Sequence, residues 1–324
     1  MLKTETIKRP RGIEDLLTPE LLAKISPLDV SSRKIFSGKL KGERRSKKRG
    51  ESVEFADHRS YVSGDDTRHI DWNLFARLDV LFLKLYLEEE DLSLHVVFDA
   101  SASADCGKPS KFDFMQKAAM ALGYVGLVNL NRVACTVMGG TTASALDKKD
   151  DESETGKPTI QPTRALRDLR GRRRAVELAQ FICDTEPAGG FNFRQAAERI
   201  ALSRRGKGVM LVMSDFLFKE GYEDGLRMLL GRGYDLIVVQ VLSPDEIDPS
   251  ITGDLALKDV EDSDLAEVTI SSPLLKKYKQ TVTAYTERLR EFCGRRGMQY
   301  MLVRSDTSIE TLMLDYLRKR GVLK

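Results

Sequence analysis

Acidic and hydroxyl side chains come directly after two segments that have the composition of buried strands. Asp99, Ser101 and Ser103 follow the first segment at two-residue steps, and Asp215 follows the second, directly after Ser214. Ligands of open α/β sheets bind outside the carboxyl ends of the strands, so these oxygens are expected to face one point. Carboxylate and hydroxyl oxygens suit Mg²⁺ or Mn²⁺, with waters completing the octahedron. These residues therefore form a candidate divalent-metal site.

A second interpretation of the same residues needs no metal. Asp and Ser side chains often cap the first turn of a helix, and a helix is predicted over 111–127, shortly after Asp99. The D-x-S-x-S pattern is weak by itself, and in isolation the capping interpretation is favoured. Its position at a strand end makes it moderately specific.

Sequence motifs of the common enzyme classes are absent. The histidines are His58, His69 and His95, without an HExxH motif or a His/Cys cluster, which argues against a zinc site. No G-x-S-x-G elbow and no complete phosphate-binding loop occurs. We therefore predict a non-enzymatic protein. The alternative is a metal-dependent hydrolase using Asp99 and Asp215, but no histidine is placed to serve as its general base.

The elements that must position these residues alternate between strands and helices. Strands are predicted over 80–86, 92–98, 132–138, 209–213, 236–242 and 299–303, and helices over 111–127, 172–184, 192–204, 221–231, 273–296 and 308–320. The polar stretch 139–171 is predicted to be a surface loop, and 255–258 is predicted to form a hairpin with 266–270. This alternation predicts an α/β fold with a doubly wound, mostly parallel, Rossmann-like sheet and an N-terminal extension.

Charge and composition indicate what the chain could bind and in which compartment it lies. Residues 1–50 carry 14 Lys/Arg and 6 Asp/Glu, an excess of 8 positive charges (14 − 6), whereas the whole chain has a net charge of +3. Nucleic-acid binding through the basic run Lys39–Arg49 is a minor alternative, because this run has no aromatic residue for base stacking. The four scattered cysteines, together with the absence of a signal peptide or an apolar run of about 18 residues, predict a cytoplasmic protein without a membrane span.

Residues 54–90 carry a more specific pattern. The string Gly64-Asp65-Asp66-x-Arg68-x-Ile70-Asp71-Trp72 follows Arg59 and Tyr61 and precedes Ala76-Arg77 and Glu88-x-Glu90. With the later Pro244-Asp245-Glu246, Gly253-Asp254-Leu255 and Leu317-Arg318-x-Arg320-Gly321, this pattern resembles the family known as "domain of unknown function 58" (DUF58) over roughly residues 25–324. The resemblance implies a von Willebrand factor A-like fold, usually without enzymatic activity. It also implies a partner, a MoxR-type AAA+ ATPase that the protein serves as an adaptor or assembly factor.

The strand-end residues also resemble the metal-ion-dependent adhesion site of von Willebrand factor A domains. Asp99-x-Ser101-x-Ser103 and the later Ser214-Asp215 match that site. A complete site has a Thr after a Gly-rich turn, whereas this chain has Phe191 after Gly189-Gly190. A phenyl ring cannot bind a metal, and the carbonyl of Asn192 is the available substitute. The resemblance therefore implies an incomplete site, with Mg²⁺ or Mn²⁺ bound no tighter than millimolar.

Three segments follow from these observations. We predict a basic N-terminal extension over 1–50, a family-signature segment over 51–90 that packs on the main domain, and a von Willebrand factor A-like α/β domain over 91–324. The signature residues have two interpretations, a charged and hydrogen-bonded structural cluster with Trp72 as packing anchor, which is favoured, or a partner-docking surface. These residues are Arg59, Tyr61, Gly64, Asp65, Asp66, Arg68, Asp71, Trp72 and Arg77.

Overall fold

The computed structural model describes residues 9–32, 55–86, 92–142, 163–203, 208–249, 253–258 and 265–324. The chain divides into two compact units, of which the smaller comprises residues 40–91. The larger comprises residues 1–39 and 92–324, so the smaller unit is an insertion in its sequence. Within the described residues, no helix has both the length and the apolar character needed to cross a bilayer.

Two short helices precede the smaller unit in the chain, α1 (Ile13–Leu16) and α2 (Pro19–Ile25). The smaller unit itself is a hairpin with a short helix. Strands β1 (Phe55–Ser60) and β2 (Phe82–Tyr86) pair antiparallel, and between them the chain forms a 3₁₀ turn, Thr67–His69, and helix α3 (Trp72–Leu78).

Both ends of helix α3 are defined by aspartates. Asp71 caps its start, since Oδ1 of Asp71 accepts from the backbone amides of Asn73 and Leu74 at 3.0 and 3.1 Å. The helix ends at Asp79, which adopts a left-handed conformation with φ 55°. Asp and Asn tolerate this conformation better than most residues, so α3 stops within the hairpin.

The larger unit is built on a six-stranded sheet. Its strands are β3 (Ser93–Asp99), β4 (Arg132–Met138), β6 (Arg164–Leu169), β8 (Gly208–Ser214), β9 (Asp235–Leu242) and β12 (Gln299–Arg304). Across the sheet they lie in the order β12-β9-β8-β3-β4-β6. The first five in this order are mutually parallel, and β6 at one edge is antiparallel to β4. The predicted α/β fold with a mostly parallel sheet is confirmed.

Short strands and further helices complete the larger unit. Two small antiparallel pairs accompany the sheet, β5 (Thr141–Thr142) with β7 (Thr185–Glu186) and β10 (Gly253–Lys258) with β11 (Leu265–Ile270), the second being the predicted hairpin. The remaining helices are α4 (Lys111–Val128), α5 (Ala175–Cys183), α6 (Phe193–Ser203), α7 (Glu223–Leu230), α8 (Pro244–Ile247), α9 (Ser272–Gly294) and α10 (Ile309–Thr311), which continues into a π-helical turn, Leu312–Leu317.

Apolar cores cover both faces of the sheet. One core packs α4 and α5 against alternate residues of β3 such as Val96 and Phe98. The other packs α6, α7 and α9 against the intervening positions, including Val97 and Val212. Because successive side chains of a strand point to opposite faces, strands buried on both sides are apolar throughout. This burial explains why these strands read as short continuous apolar runs in the sequence.

The order of the strands creates a switch point between β3 and β8. From β3 the chain first adds β4 on one side, then crosses back to add β8, β9 and β12 on the other side. The crevice at such a reversal, outside the carboxyl ends of the strands, is where α/β folds bind ligands. Asp99 ends β3 and Ser214-Asp215 ends β8, so the candidate residues meet at this crevice.

The prediction that 139–171 is entirely loop is wrong in its described parts. Thr141–Thr142 forms β5, and Arg164–Leu169 forms β6 at the edge of the sheet. The sequence did not predict β6 because three of its residues are charged. They interrupt the alternation of apolar and polar residues by which strands are recognised. Charged side chains on an edge strand are a usual protection against pairing with another chain.

Candidate functional site

Asp99 is the buried centre of the candidate site. Its Oδ1 accepts hydrogen bonds from the backbone amide and the hydroxyl of Ser101, at 2.8 and 2.7 Å. Its Oδ2 accepts from the hydroxyl of Ser214 at 2.7 Å, across the switch point from β8. The hydroxyls of Ser101 and Ser103 lie 3.0 Å apart. The structure thus brings Asp99, Ser101 and Ser103 together as predicted, in a network that satisfies both carboxylate oxygens.

Two neighbouring loops hold the loop after Asp99 by its backbone. The amide of Ala102 donates to the carbonyl of Gly189 at 2.8 Å, and the amide of Ala188 donates to the carbonyl of Ala100 at 3.1 Å. The amide of Gly140 donates to the carbonyl of Ala188 at 3.2 Å, which ties a third segment into the same arrangement. Gly140 has a φ of +69°, and a Cβ there would lie 2.8 Å from the Cβ of Ala100. A glycine is therefore needed to bring these loops together.

Asp215 is paired with a buried lysine. Its Oδ2 lies 2.7 Å from Nζ of Lys111, the first residue of α4, and its Oδ1 accepts from the amide of Leu217 at 3.0 Å. The same ammonium lies 2.6 Å from Oε1 of Glu246. Desolvation lowers the pKa of Lys111, but the two carboxylates outweigh it and the net pKa is raised, so the side chain stays charged.

Lys111 and Glu246 are site residues that sequence reasoning missed. A signal for Lys111 was present: it directly follows Ser110, which caps α4, and a cation is unfavourable at the positive end of a helix. A lysine in that place therefore suggests a nearby carboxylate. Glu246 gave a clearer local signal, since Ser243-Pro244-Asp245-Glu246 forms the capping box of α8.

The environment of Asp99 disfavours its charged form. Burial is the main cause, and together with the neighbouring charge of Asp215 it raises the pKa of Asp99 to about 6. The hydrogen bonds from Ser101 and Ser214 oppose this shift by stabilising the carboxylate. The pKa of Asp99 in the folded protein therefore lies above its ordinary value of 3.8.

Replacing Asp99 with asparagine should change how stability depends on pH. The folded state binds the Asp99 proton more tightly than the unfolded chain, so this group lowers the free energy of unfolding as pH rises from about 4 to about 6. Within this window the loss is on the order of 1 kcal/mol for each pH unit. Asp99→Asn should flatten the pH dependence in this window, measured by urea unfolding. An unchanged slope would show that Asp99 is not the titrating group.

Phe191 and Asn192 are the residues that the resemblance matches to the Thr of a complete adhesion site. The ring of Phe191 packs edge-on against Phe218, with centroids 5.5 Å apart. Oδ1 of Asn192 accepts from the amide of Gln195 at 2.9 Å, and its amide group donates to Glu220. The carbonyl that would serve as a metal ligand is therefore engaged at the start of α6.

The described residues do not fit a divalent metal well. They include no group of three or more His, Cys, Asp or Glu side chains placed to hold an ion. Both oxygens of Asp99 and both of Asp215 already accept hydrogen bonds, and the cation beside Asp215 is the Lys111 ammonium. Asp215 thus lies at the carboxyl ends of the strands, as Asp99 does, but its carboxylate pairs with the ammonium of Lys111.

A second basic group, half-buried, lies next to the segment that follows Asp99. The guanidinium of Arg9 contacts Asp105 at 2.7 Å, Glu186 at 3.2 Å and Asp113 at 3.3 Å. It also lies over the ring of Phe112, 5.3 Å from the centroid. Arg9 therefore fixes its N-terminal segment to the rest of the larger unit. The basic run Lys39–Arg49, the candidate for nucleic-acid contact, lies outside the described residues.

The signature residues of the smaller unit form a set of local contacts. Arg59 pairs with Asp65 at 2.7 Å, Arg68 pairs with Asp66 at 2.8 Å, and Gly64 supplies the turn with a φ of +106°. Asp71, besides capping α3, accepts from His58 at 3.0 Å and lies 3.4 Å from the Lys84 ammonium. The amide of Tyr61 donates to the carbonyl of Leu81, and Arg77 is exposed in the last turn of α3. Glu54, Glu88 and Glu90 of the signature lie outside the described residues.

Trp72 has a largely exposed side chain. Its side chain is 61% exposed and contacts Phe75 edge-on, one turn further along α3. The exposed apolar residues Val62, Leu78 and Val80 belong to the same unit. Exposed apolar residues that are scattered singly are normal on protein surfaces. The packing-anchor and docking interpretations of Trp72 therefore both stay predictions.

Substitutions at Arg68 and Asp71 should affect the unfolding midpoint differently. The Arg68 side chain is 85% exposed and pairs with an exposed Asp66, so Arg68→Ala should leave the unfolding midpoint unchanged. Asp71→Ala removes a helix cap and two basic partners, so it should lower the midpoint.

The hydrogen bond from His58 is the main reason that the pKa of Asp71 is lowered to about 2. Its stabilising effect should therefore fade as pH falls from about 4 to about 2, measured by thermal unfolding. Equal midpoints for the two variants would contradict this assignment.

Comparison with known proteins shows which family the sequence belongs to. The model of the family described as "Protein of unknown function DUF58" matches residues 57–289. The chain belongs to the DUF58 family. One relative is the "Uncharacterized protein Rv1480" of Mycobacterium tuberculosis, which is 23% identical over 316 residues, covering 95% of this chain and 93% of the relative. A Mycobacterium bovis protein, "Uncharacterized protein Mb1516", has the same identity and coverage.

Solved structures resemble this DUF58 chain only distantly. One is an aerotolerance-related membrane protein from Bacteroides fragilis, with a TM-score of 0.41 and 13% identity, covering 71% of this chain and 98% of that one. Another is the conserved hypothetical protein BatB from Bacteroides thetaiotaomicron, with a TM-score of 0.41 and 13% identity, covering 70% and 98%.

Proposed function

We propose that this DUF58 protein is a non-enzymatic binding module with a von Willebrand factor A-like domain. In this proposal it acts in the cytoplasm as an adaptor or assembly partner of a MoxR-type AAA+ ATPase. The choice of ATPase rests on the resemblance carried by the string Gly64–Trp72. The choice of binding over catalysis rests on the contacts at the carboxyl edge of the sheet.

The observation that carries the proposal is the mutual pairing of reactive groups at that edge. Asp99 is held by Ser101 and Ser214, and Asp215 is held by Lys111. A hydrolase needs a base that can take a proton from a nucleophile or water. Among the described side chains, His95 is buried in the sheet beside Thr136, 2.8 Å away, and His58 lies in the smaller unit on Asp71. These contacts favour a rigid binding surface.

The surface beside Asp215 has features of a protein interface. Leu217 is 50% exposed and lines a shallow pocket together with Leu242, Tyr278 and Tyr285. The hydroxyl of Tyr278 donates to the carbonyl of Glu246 at 3.0 Å, which fixes its ring at the pocket. Tyrosine is enriched at protein interfaces and among their hot-spot residues, and clustered exposed apolar side chains mark interaction surfaces. We therefore place the docking surface around Leu217.

The test is affinity capture of the full chain from its native cells with ATP and Mg²⁺, followed by mass spectrometry. Wild type should enrich a AAA+ ATPase. Leu217→Arg should lose the ATPase, because a buried unpaired charge at the centre of an interface costs about 2–5 kcal/mol. Arg68→Ala and Trp72→Ala test whether the smaller unit contributes to the same capture.

Leu202→Arg is the matched control. Leu202 is 68% exposed on α6, so the same substitution there should retain the ATPase. Loss of the ATPase in both arginine variants would indicate a general effect of the added charge and contradict the docking surface. Absence of any AAA+ ATPase from the wild-type capture in every nucleotide state would exclude the adaptor role.

A further inference from the structure

We propose that the Lys111 ammonium serves as an internal cation at the carboxyl ends of β3 and β8. The site there therefore functions without a divalent metal in the wild-type protein. Removing that ammonium should uncover a site that binds Mn²⁺. This inference goes beyond the proposed adaptor role and does not depend on which partner binds.

The ammonium lies where a metal would need to be in order to use Asp215. It is 2.7 Å from Oδ2 of Asp215 and 2.6 Å from Oε1 of Glu246, distances typical of charge-assisted hydrogen bonds. The side chains of Lys111 and Asp215 are 1% and 9% exposed, so their contact is shielded from solvent, whereas Glu246 is half-buried at 24%. A divalent ion on Oδ2 would have to displace this ammonium and leave it buried without a carboxylate. That displacement is unfavourable because a buried, unpaired charge is costly.

The position of Lys111 is otherwise unfavourable, which indicates that its charge has a specific use. Lysine is rarely buried to this extent, and a cation at the first position of α4 opposes the dipole of the helix. The neighbouring polar groups compensate for both effects by supplying two carboxylates. An apolar residue of similar size would avoid both penalties, so the carboxylates and the ammonium are best understood as one unit.

The loop that precedes Lys111 is held by contacts with two other segments. A Cβ on Gly107 would lie 2.4 Å from the Cβ of Ser243, so the loop packs directly on the capping box of α8. The carbonyl of Pro109 accepts from the hydroxyl of Ser305 at 2.7 Å. The other oxygen of Glu246 accepts from the amide of Ser243 at 2.7 Å. These contacts hold the ammonium and its carboxylates in place, so the cation is preorganised.

The oxygens around the ammonium suit a hard cation once it is removed. Shortening Lys111 to alanine leaves carboxylate oxygens of Asp215 and Glu246 facing the vacated volume. Two carboxylates with water ligands are a sufficient set for Mn²⁺ or Mg²⁺. Lys111→Ala is thus expected to exchange an internal monovalent cation for an external divalent one.

The experiment is a Mn²⁺ titration of the full chain followed by electron paramagnetic resonance, which detects free Mn²⁺. Wild type and the control Lys117→Ala, which removes an exposed lysine of the same helix, should bind Mn²⁺ no tighter than millimolar. Lys111→Ala should bind at least about tenfold more tightly than wild type. Lys111→Ala combined with Asp215→Asn should lose that gain.

Two results would overturn the proposal. The first is micromolar Mn²⁺ binding by wild type that Asp99→Ala abolishes, and the second is a folded Lys111→Ala that binds no more tightly than wild type. If Lys111→Ala does not fold, the unfolding midpoint of wild type decides. A midpoint that is unchanged by Mn²⁺ or by EDTA supports the internal cation, whereas a midpoint raised by Mn²⁺ and lowered by EDTA contradicts it.

Discussion

Replacing Lys111 with methionine is expected to lower the free energy of unfolding by about 3–5 kcal/mol. Methionine fills a similar volume, so the loss comes from charge and not from a cavity. The substitution leaves Asp215 and Glu246 with no ammonium, in a place where the lysine side chain was 1% exposed. Breaking a buried pair by removing one partner is costly, because the remaining charge is neither solvated nor paired.

Lys117→Met is the matched control for this prediction. Lys117 lies in the same helix but is exposed, so the same change there should alter stability by less than about 0.5 kcal/mol. Urea unfolding followed by circular dichroism measures both variants. A loss below about 1 kcal/mol for Lys111→Met would contradict the structure, because it would mean that the two carboxylates are solvated or protonated without the ammonium.

Replacing Gly140 with alanine is expected to cost about 2–4 kcal/mol. A φ of +69° is strained for alanine, and the added Cβ would lie 2.9 Å from the carbonyl oxygen of Glu186. That oxygen belongs to a backbone that cannot move freely, because Ala188 in the same loop bonds to Ala100 and to Gly140. The expected response is a separation of the two loops, which would release the segment that carries Ser101 and Ser103.

The control for Gly140→Ala is Gly294→Ala. Gly294 ends α9, and a Cβ added there would meet no neighbouring group within 4 Å. Its φ is not left-handed, so alanine should be neutral or stabilise by about 0.5–1 kcal/mol. Thermal unfolding separates the two variants, and hydrogen exchange at the amide of Ala102 reports whether the loops part. Gly140→Ala with wild-type stability and exchange would show that the loops tolerate the added methyl group.

The fold was predictable wherever one local rule decided an element. The strand at 132–138 and the helix at 111–127 followed from apolar content and periodicity, and the structure gives them as β4 and α4. Edge strand β6 was not predictable in this way, because an edge strand packs on one neighbour and can carry arginine instead of apolar residues. The order of the strands depends on long-range crossovers that no local pattern encodes.

The candidate site was predictable in part for the same reason. Asp99, Ser101 and Ser103 are close in sequence, so their convergence followed from their spacing. The contact of Lys111 with Asp215 joins residues 104 positions apart, and only the three-dimensional crossover creates it. The exposure of Trp72 was also not predictable from the sequence, because tryptophan is usually largely buried and its exposure depends on which face of α3 is covered.

The switch point between β3 and β8 has a consequence for how the chain folds. The hydrogen bond between Asp99 and Ser214 spans 115 positions of sequence, so a long loop must close before it forms. Contacts of such range slow folding, because chain entropy is lost before the contacts compensate for it. Helix α4 and the pairing of β3 with β4 need much shorter closures. We therefore expect the site that joins Asp99 to Ser214 to be absent from early folding intermediates and to form only with the completed sheet.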